Sequence, residues 1–295
     1  MKLAAIVTLL AIFTGTSLLR ADAMAANGAT PAMSGKHMAE NALQASVDGD
    51  WRSAETKARD RYRHPVEALA FWGLKPGMTI LEIQPGGGYW TEILAPYAKM
   101  TGGRFYATAA DLANPKLSDE SRKARGEFES RFGNKPETYG KIDLVNWGAV
   151  SKTLPADTFD FILTARSIHN WMQQGPDVVG DTFREFNKAL KKGGILAVEQ
   201  HRANPTPAEK PETGYVSEAY VIAQAEKAGL KLAARSELNA NPKDTKDHPF
   251  GVWTLPPSLR SSPENSDKPV DPNFDHSKYL SIGESDRMTL KFIKP

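Results

Sequence analysis

From residue 78 onward the chain alternates short apolar runs with longer amphipathic segments, and this alternation restricts the fold more than any other feature. Apolar runs bounded by turn residues predict buried strands, and apolar residues spaced three or four apart predict helices. We predict strands at 78–83, 103–108, 142–147, 158–165, 195–199, 230–238 and 288–293, and helices at 89–98, 115–132, 177–192 and 215–228. Such an order indicates an α/β domain with a seven-stranded, mostly parallel sheet and helices on both faces.

The first residues predict export. Lys2 precedes an apolar run over residues 3–19, and small residues follow it, which is typical of a secretory signal peptide cut after Ala23 or Ala25. An uncleaved membrane anchor is the alternative, because the run falls little short of the roughly 20 residues of a spanning helix. In either case we expect the rest of the chain to lie outside the cytoplasm. Cleavage of the signal would give a periplasmic or secreted protein with no membrane contact.

Composition narrows the possible partners. None of the 295 residues is cysteine, so no disulfide stabilises the core. Loss of Lys2, Arg20 and Asp22 with the signal lowers the formal net charge from +2 to +1. The basic run over 57–63 is short and interrupted, so we expect a small-molecule substrate and no nucleic acid. The oligomeric state is left open.

The mature chain reads as one domain. Residues 26–55 are predicted as a flexible lead-in and an N-terminal helix, and residues 56–295 as the domain itself. Residues 239–283 interrupt the alternation before the last strand, and they are rich in Pro, Asp, Ser and Asn. Because this insertion also carries aromatic residues such as Trp253, it either packs over a pocket or forms a loose surface excursion.

The end of the first predicted strand indicates a ligand site. An acidic residue closes the strand, and a run of glycines leads directly into the next helix. Glycine permits a tight turn and lets a ligand approach backbone amides at the positive end of a helix. The predicted binding residues are Glu82, Gln84, Pro85, Gly86, Gly87, Gly88 and Tyr89.

Further motifs accompany this turn. They are His64-Pro65, 73–78, Arg166-Ser167-Ile168-His169-Asn170-Trp171, 199–202, 213–216 and 228–230. With Glu82 and the spaced glycines, the sequence resembles the class I S-adenosylmethionine-dependent methyltransferases, and looks closest to a group of exported bacterial predicted methyltransferases, over roughly residues 60–295. The resemblance implies a Rossmann-like fold, S-adenosylmethionine as cofactor and methyl transfer to an unidentified small molecule.

The sequence departs from the superfamily pattern at two places. The second strand of that superfamily ends in an acidic residue that holds the ribose hydroxyls, whereas Ala109 stands here and Asp111 follows two residues later. An acidic residue near the adenine is also missing from 148–150. Asp111 is therefore predicted as a substitute ribose ligand, since a charge-assisted hydrogen bond is about twice as strong as a neutral one.

Polar residues after two later strands indicate catalysis. Ligands bind at the carboxyl ends of parallel strands where the strand order reverses, so these residues should meet the glycine turn. A histidine there could remove a proton from an attacking oxygen or nitrogen. The predicted catalytic residues are Arg166, His169, Asn170, Glu199 and His201.

Two other functions fit the same residues. The missing ribose anchor would also suit a non-catalytic binding protein that kept the fold and changed its ligand. A metal site is the third interpretation, because imidazole and carboxylate suit zinc or copper. Its ligands would be His64, His169, His201 and Glu199, although they lack local metal-binding spacing.

Overall fold

A computed structural model describes residues 35–148, 150–205, 210–262 and 271–295. The predicted signal peptide and residues 26–34 of the lead-in lie outside the described residues. Among the helices that the structure does describe, none combines the length and the apolar character needed to cross a bilayer.

Seven strands form one sheet. They are β1 (Thr79–Ile83), β2 (Arg104–Ala110), β3 (Ile142–Trp147), β4 (Phe159–Ala165), β5 (Leu190–His201), β6 (Lys231–Ser236) and β7 (Arg287–Ile293). Their order is β3-β2-β1-β4-β5-β7-β6, and only β7 runs antiparallel to its neighbours. The predicted α/β fold with a mostly parallel seven-stranded sheet is confirmed.

Helices cover both faces of the sheet. They are α1 (Gly35–Asp48), α2 (Ala54–Lys57), α3 (Asp60–Arg63), α4 (Pro65–Trp72), α5 (Thr91–Met100), α6 (Asp119–Phe128), α7 (Pro136–Tyr139), α8 (Ile168–Gln174), α9 (Val178–Ala189), α10 (Glu218–Lys227) and α11 (Ser277–Ile282). One apolar cluster packs α1, α4 and α5 on one face, and a second packs α8, α9 and α10 on the other. The strands between them are apolar on both sides, as a doubly covered sheet requires.

Three predicted helices begin or end elsewhere. The helix predicted at 177–192 ends at Ala189, because the backbone of Leu190 pairs with Phe159 and so starts β5. The helix predicted from residue 215 begins at Glu218, since Val216 still bridges to Arg202 and Ser217 caps the helix. The helix predicted at 115–132 begins at Asp119 and ends in a wider turn over Glu129–Gly133.

The described part of the insertion packs against the domain. Asp244 is buried and accepts hydrogen bonds from the Tyr215 hydroxyl at 2.8 Å and from the Asp286 backbone at 2.8 Å. His248 lies 2.8 Å from the same carboxylate. These buried polar contacts fix residues 239–262 in place and direct Trp253 toward the carboxyl ends of the strands.

Candidate ligand-binding and active site

The site lies where β1 and β4 run side by side. The chain passes from β1 toward β2 on one side and from β4 toward β5 on the other, which opens a crevice beyond their carboxyl ends. The residue after each strand is strained: Gln84 has φ of +49° and Arg166 has φ of +61°. Hydrogen bonds hold both residues, since Gln84 donates its amide to Thr108 Oγ1 and Arg166 donates its amide to the Glu199 carbonyl.

A cavity of about 760 Å³ fills this crevice. That volume lies within the range of about 300–1,000 Å³ typical of small-molecule sites. The predicted residues that line it are Gln84, Pro85, Gly86, Asp111, Arg166, His169, Asn170 and His201. One strand-end cavity therefore brings together predicted residues from four separate stretches of the sequence.

The β2 end of the cavity is formed by residues after β2. Ala109 and Ala110 line it, so their positions offer no carboxylate. Asp111 lines it too, but its carboxylate accepts hydrogen bonds from the Ala113, Val150 and Ser151 amides and from the Ser151 hydroxyl. The Ser151 amide is the main cause that lowers the pKa of Asp111.

Asp111 lines the cavity, but its carboxylate is engaged by the loop after β3, and its role as a ribose ligand stays a prediction. Its oxygen atoms already accept four hydrogen bonds, and these tie the loop after β3 to the end of β2. Two neutral residues that the sequence did not single out, Asn114 and Ser121, line the cavity nearby. Contacts from this end of the cavity to a sugar would then be made by amide and hydroxyl groups and by the guanidinium of Arg125.

The β4–β5 end of the cavity carries two histidines. The rings of His169 and His201 lie 5.9 Å apart, and the Trp253 ring lies 5.7 Å from His169. The Nδ1 atom of His169 lies 3.2 Å from the side-chain amide of Gln200, which also donates to the Gly214 carbonyl. Because an amide nitrogen is a donor, His169 accepts this bond and carries its proton on Nε2.

His201 is held in its neutral form. Burial, followed by the positive charge of Arg287, lowers the pKa of His201 well below its ordinary value. Its Nδ1 atom forms a hydrogen bond with the hydroxyl of Ser285, which comes from the segment before β7. A neutral imidazole in a ligand cavity is able to accept a proton at neutral pH.

The predicted roles of Gly87, Gly88 and Tyr89 are corrected, because none of them lines the cavity. A side chain at Gly88 would meet the Phe132 ring at 2.3 Å, so this glycine allows close packing on the side away from the ligand. The Tyr89 hydroxyl donates to Asp60 at 2.7 Å, and its ring lies 4.2 Å from the Arg63 guanidinium.

The two buried glutamates also lie outside the cavity lining, which corrects their predicted contacts with ligand. Glu82 accepts a hydrogen bond from the Thr91 hydroxyl at 2.6 Å, and burial raises its pKa to about 8. Glu199 accepts from the Trp90 indole at 3.2 Å and pairs with Arg287 at 3.2 Å. Both carboxyl groups therefore bind residues outside the cavity lining, Thr91 in one case and Trp90 and Arg287 in the other.

The residues proposed as metal ligands do not converge. Among the residues that the structure describes, no group of three or more histidine and carboxylate side chains could hold a metal ion. His64 lies 3.1 Å from the Asn239 amide oxygen, and Glu199 is engaged by Trp90 and Arg287. The geometry gives the metal interpretation no support.

Several lining residues had no signal in the sequence. Arg125 on α6 donates to the Ala110 carbonyl at 2.8 Å and so reaches the β2 end of the cavity. Trp147 closes β3, and Trp253 lies in the insertion. A polar residue on a charged helix is not distinguishable from its exposed neighbours without the fold, whereas the aromatic residues of the insertion did point to packing.

Residues 81–198 match the sequence family described as "Methyltransferase domain". No curated protein matches the chain significantly.

Three solved structures show the range of similarity. The [4+2]-cyclase SpnF is 16% identical, with 88% of this chain and 95% of the cyclase covered and a TM-score of 0.52. A SAM-dependent methyltransferase from Aquifex aeolicus is 24% identical, with 61% and 86% covered and a TM-score of 0.46. Another from Methanosarcina mazei is 14% identical, with 77% and 96% covered and a TM-score of 0.46.

The matched segment runs from β1 to β5 and therefore contains the glycine turn, both strained residues and the cavity floor. Residues 81–198 therefore carry the similarity to the methyltransferase domain family, and the likeness to SpnF shows a shared fold.

Substitution of Gly88 tests its packing role. The residue has φ of +80°, and an added Cβ would clash with Phe132. We expect Gly88→Ala to lower the free energy of unfolding by about 2–4 kcal/mol through left-handed strain and overpacking. Gly87→Ala is the control, since nothing lies within 4 Å of its Cβ position and a change within about 0.5 kcal/mol is expected. If urea unfolding showed that both variants lose the same free energy of unfolding, the packing role of Gly88 would be contradicted.

Glu82→Gln is expected to flatten the pH dependence of stability. With its pKa raised to about 8, folded Glu82 keeps a proton that the unfolded chain loses above roughly pH 4.3. Stability is therefore greatest below that pH and falls as pH rises to 8, by on the order of 1 kcal/mol per unit. Urea unfolding at several pH values should show a smaller fall in the variant than in wild type. The exposed Glu127→Gln serves as control, and an unchanged slope in Glu82→Gln would refute the assignment.

Proposed function

We propose that the protein transfers the methyl group of S-adenosylmethionine to a small-molecule acceptor outside the cytoplasm. The observation that carries the proposal is the cavity itself, which joins the turn at Gln84–Gly86 to the histidines and Arg166 beyond β4 and β5. A cofactor on the turn would thus lie beside groups that can orient and deprotonate an acceptor.

The described residues fit the cofactor in shape, with one electrostatic difference. A side chain at Gly86 would find no heavy atom closer than 4.0 Å, so a ligand is able to approach the backbone there. Ala109 stands where an acidic ribose ligand would be expected, and the neutral residues Asn114 and Ser121 line the cavity. We therefore propose that the turn holds the cofactor and that its sugar is bound without a carboxylate.

His201 is the proposed general base. S-adenosylmethionine supplies an electrophilic methyl group on its sulfonium, and the acceptor must lose a proton when its oxygen or nitrogen attacks. The general-base role requires the tautomer in which His201 Nδ1 donates its proton to Ser285, because this tautomer leaves the Nε2 lone pair available to the acceptor. Because the pKa of His201 is lowered, the base stays neutral below pH 6.5 and would act on acceptors that are themselves acidic.

Three neighbouring groups would position the acceptor. His169 presents its Nε2 proton beside His201, and the exposed side chain of Asn170 reaches the cavity from the start of α8. Trp253 covers this end from the insertion and would reduce the access of water. Exclusion of water strengthens the polar contacts that remain.

A second function is favoured by one observation. The acidic ribose anchor is replaced by Ala109, and Asp111 is fully engaged with the loop after β3. A binding protein that keeps the fold and takes another ligand would tolerate both the loss of the acidic residue at Ala109 and the engagement of Asp111 by the loop. The fold alone does not decide the reaction, since the structural neighbour SpnF is described as a [4+2]-cyclase.

Restoration of the missing carboxylate tests cofactor binding. Titration of the mature chain with S-adenosylhomocysteine by calorimetry should show one site, and Ala109→Asp should tighten it about tenfold through a charge-assisted hydrogen bond. Ala156→Asp, at the opposite end of the strands, adds the same charge and should leave the affinity unchanged. Absence of binding in all three proteins, together with a purified ligand that is not an adenosine compound, would favour the second function.

The location is tested by the N-terminus of the exported protein. The pattern of residues 1–25 supports export, and cleavage at either predicted position would leave a chain that begins at residue 24 or 26. Intact mass measurement of protein from the periplasm or the medium should give one of these two chains. Recovery of the uncut chain from the cytoplasm would contradict the proposed location.

A further inference from the structure

Four arginines gather behind the β4–β5 end of the cavity. This arginine cluster comprises Arg59, Arg63, Arg166 and Arg287, and its acidic members are Glu199 and Glu284. Arg287 on β7 is the register partner of His201 on β5, so their side chains emerge on the same face of the sheet. Arg63 and Arg287 are almost fully buried.

The charges of the cluster do not balance. Glu284 accepts from Arg59 at 2.5 Å, from Arg63 at 3.2 Å and from Arg287. Burial opposes ionisation of Glu284, but these arginines hold its pKa below the usual range. Glu199 is the other acidic member, so four guanidinium groups face two carboxylates. The neighbouring Arg52–Asp60 pair is matched in charge and contributes no compensation.

Several buried guanidinium nitrogens have no acceptor. They are Nη2 of Arg59, Nη1 and Nη2 of Arg63, Nε of Arg166 and Nη1 of Arg287. A buried donor without a partner costs roughly 1–3 kcal/mol, and more when it is charged. Native proteins rarely leave such groups unsatisfied, so a concentration of them in one place indicates an acceptor that the described residues do not supply.

The cavity gives that acceptor a route to the cluster. Arg166 and His201 both line the cavity, and the charges of Arg63 and Arg287 act on both residues. Guanidinium groups bind carboxylate and phosphate through paired hydrogen bonds. We infer that the arginine cluster binds an oxyanion, a carboxylate or a phosphate, carried by a ligand in the cavity.

This inference rests on the proposed function for the identity of that ligand. Two sources share the chemistry, because the acceptor could carry the oxyanion and the methionine part of the cofactor carries a carboxylate. An acidic acceptor would also explain why buried positive charge lies beside the β4–β5 end of the cavity. Binding of a free oxyanion needs no cofactor, so its failure is distinct from failure of methyl transfer.

Phosphate titration of the ligand-free mature chain tests the cluster. Thermal unfolding is followed at constant ionic strength while sodium phosphate replaces sodium chloride, and a saturable rise in Tm is expected. Arg166→Gln should weaken the apparent affinity by about tenfold, since it removes a charged donor from the cavity wall. The matched control is Arg61→Gln on the same helix as Arg63, because Arg61 is exposed and contacts the Tyr62 ring.

Two nucleosides then distinguish the sources. If S-adenosylhomocysteine abolishes phosphate binding and methylthioadenosine, which lacks the carboxylate, does not, the oxyanion belongs to the cofactor. If phosphate binding survives both, it belongs to the acceptor. Both results support the oxyanion site.

Two results would overturn the inference. Phosphate stabilises many proteins through exclusion from their surface, and that effect rises without saturation. A linear rise in Tm that is the same in wild type and Arg166→Gln would show that the cluster holds no anion. If the Tm of the wild-type chain in phosphate equalled its Tm in chloride at every phosphate concentration, the cluster would likewise hold no anion.

Discussion

The divergence of the chain at the ends of β1 and β4 is the constraint on which the site depends. These strands pair over Ile80–Ile83, yet their connections leave in opposite directions, so no backbone fills the space beyond them. Gln84 and Arg166 make the turns at a cost of order 1–3 kcal/mol each. Hydrogen bonds to Thr108 and to Glu199 hold the two turns open, and the cavity lies between them.

The cavity differs in charge between its two ends. At the β2 end the carboxylate of Asp111 is saturated by hydrogen bonds and the Arg125 guanidinium is paired with Glu129, so the described residues there carry little net charge. At the β4–β5 end buried arginines outnumber the carboxylates around them. This difference in charge favours a ligand whose negative charge lies near His201. Burial, followed by the charge of Arg287, lowers the pKa of that histidine and keeps it neutral.

The sheet could be predicted from sequence because its central strands β1, β4 and β5 are buried on both faces and read as apolar runs between turns. The carboxyl ends of parallel strands lie at one edge of the sheet, so the sequence also predicted that Arg166 and His201 would meet in one cavity. Tyr89 and Glu199 were beyond such reasoning, because their partners Asp60 and Arg287 lie far away in the sequence. A carboxylate at a strand end points to a ligand only when nothing else in the fold engages it.

The predicted boundary between α9 and β5 was wrong for a related reason. The backbone of Leu190 continues the sheet although its neighbours have helical periodicity, because a pairing partner at Phe159 overrides local preference. Trp253 was visible as an aromatic residue in an insertion, but its place above His169 depends on Asp244 and its buried contacts. Long-range contacts of this kind cannot be read from one segment.

The most direct test of the account is a crystal structure of the mature chain grown with S-adenosylhomocysteine. We expect the adenosine between Gln84–Gly86 and Thr108–Ala110, with the sulfur directed toward His201. An empty crevice at saturating ligand, or the nucleoside bound elsewhere on the surface, would contradict the claim that the divergence of β1 and β4 creates a methyltransferase site.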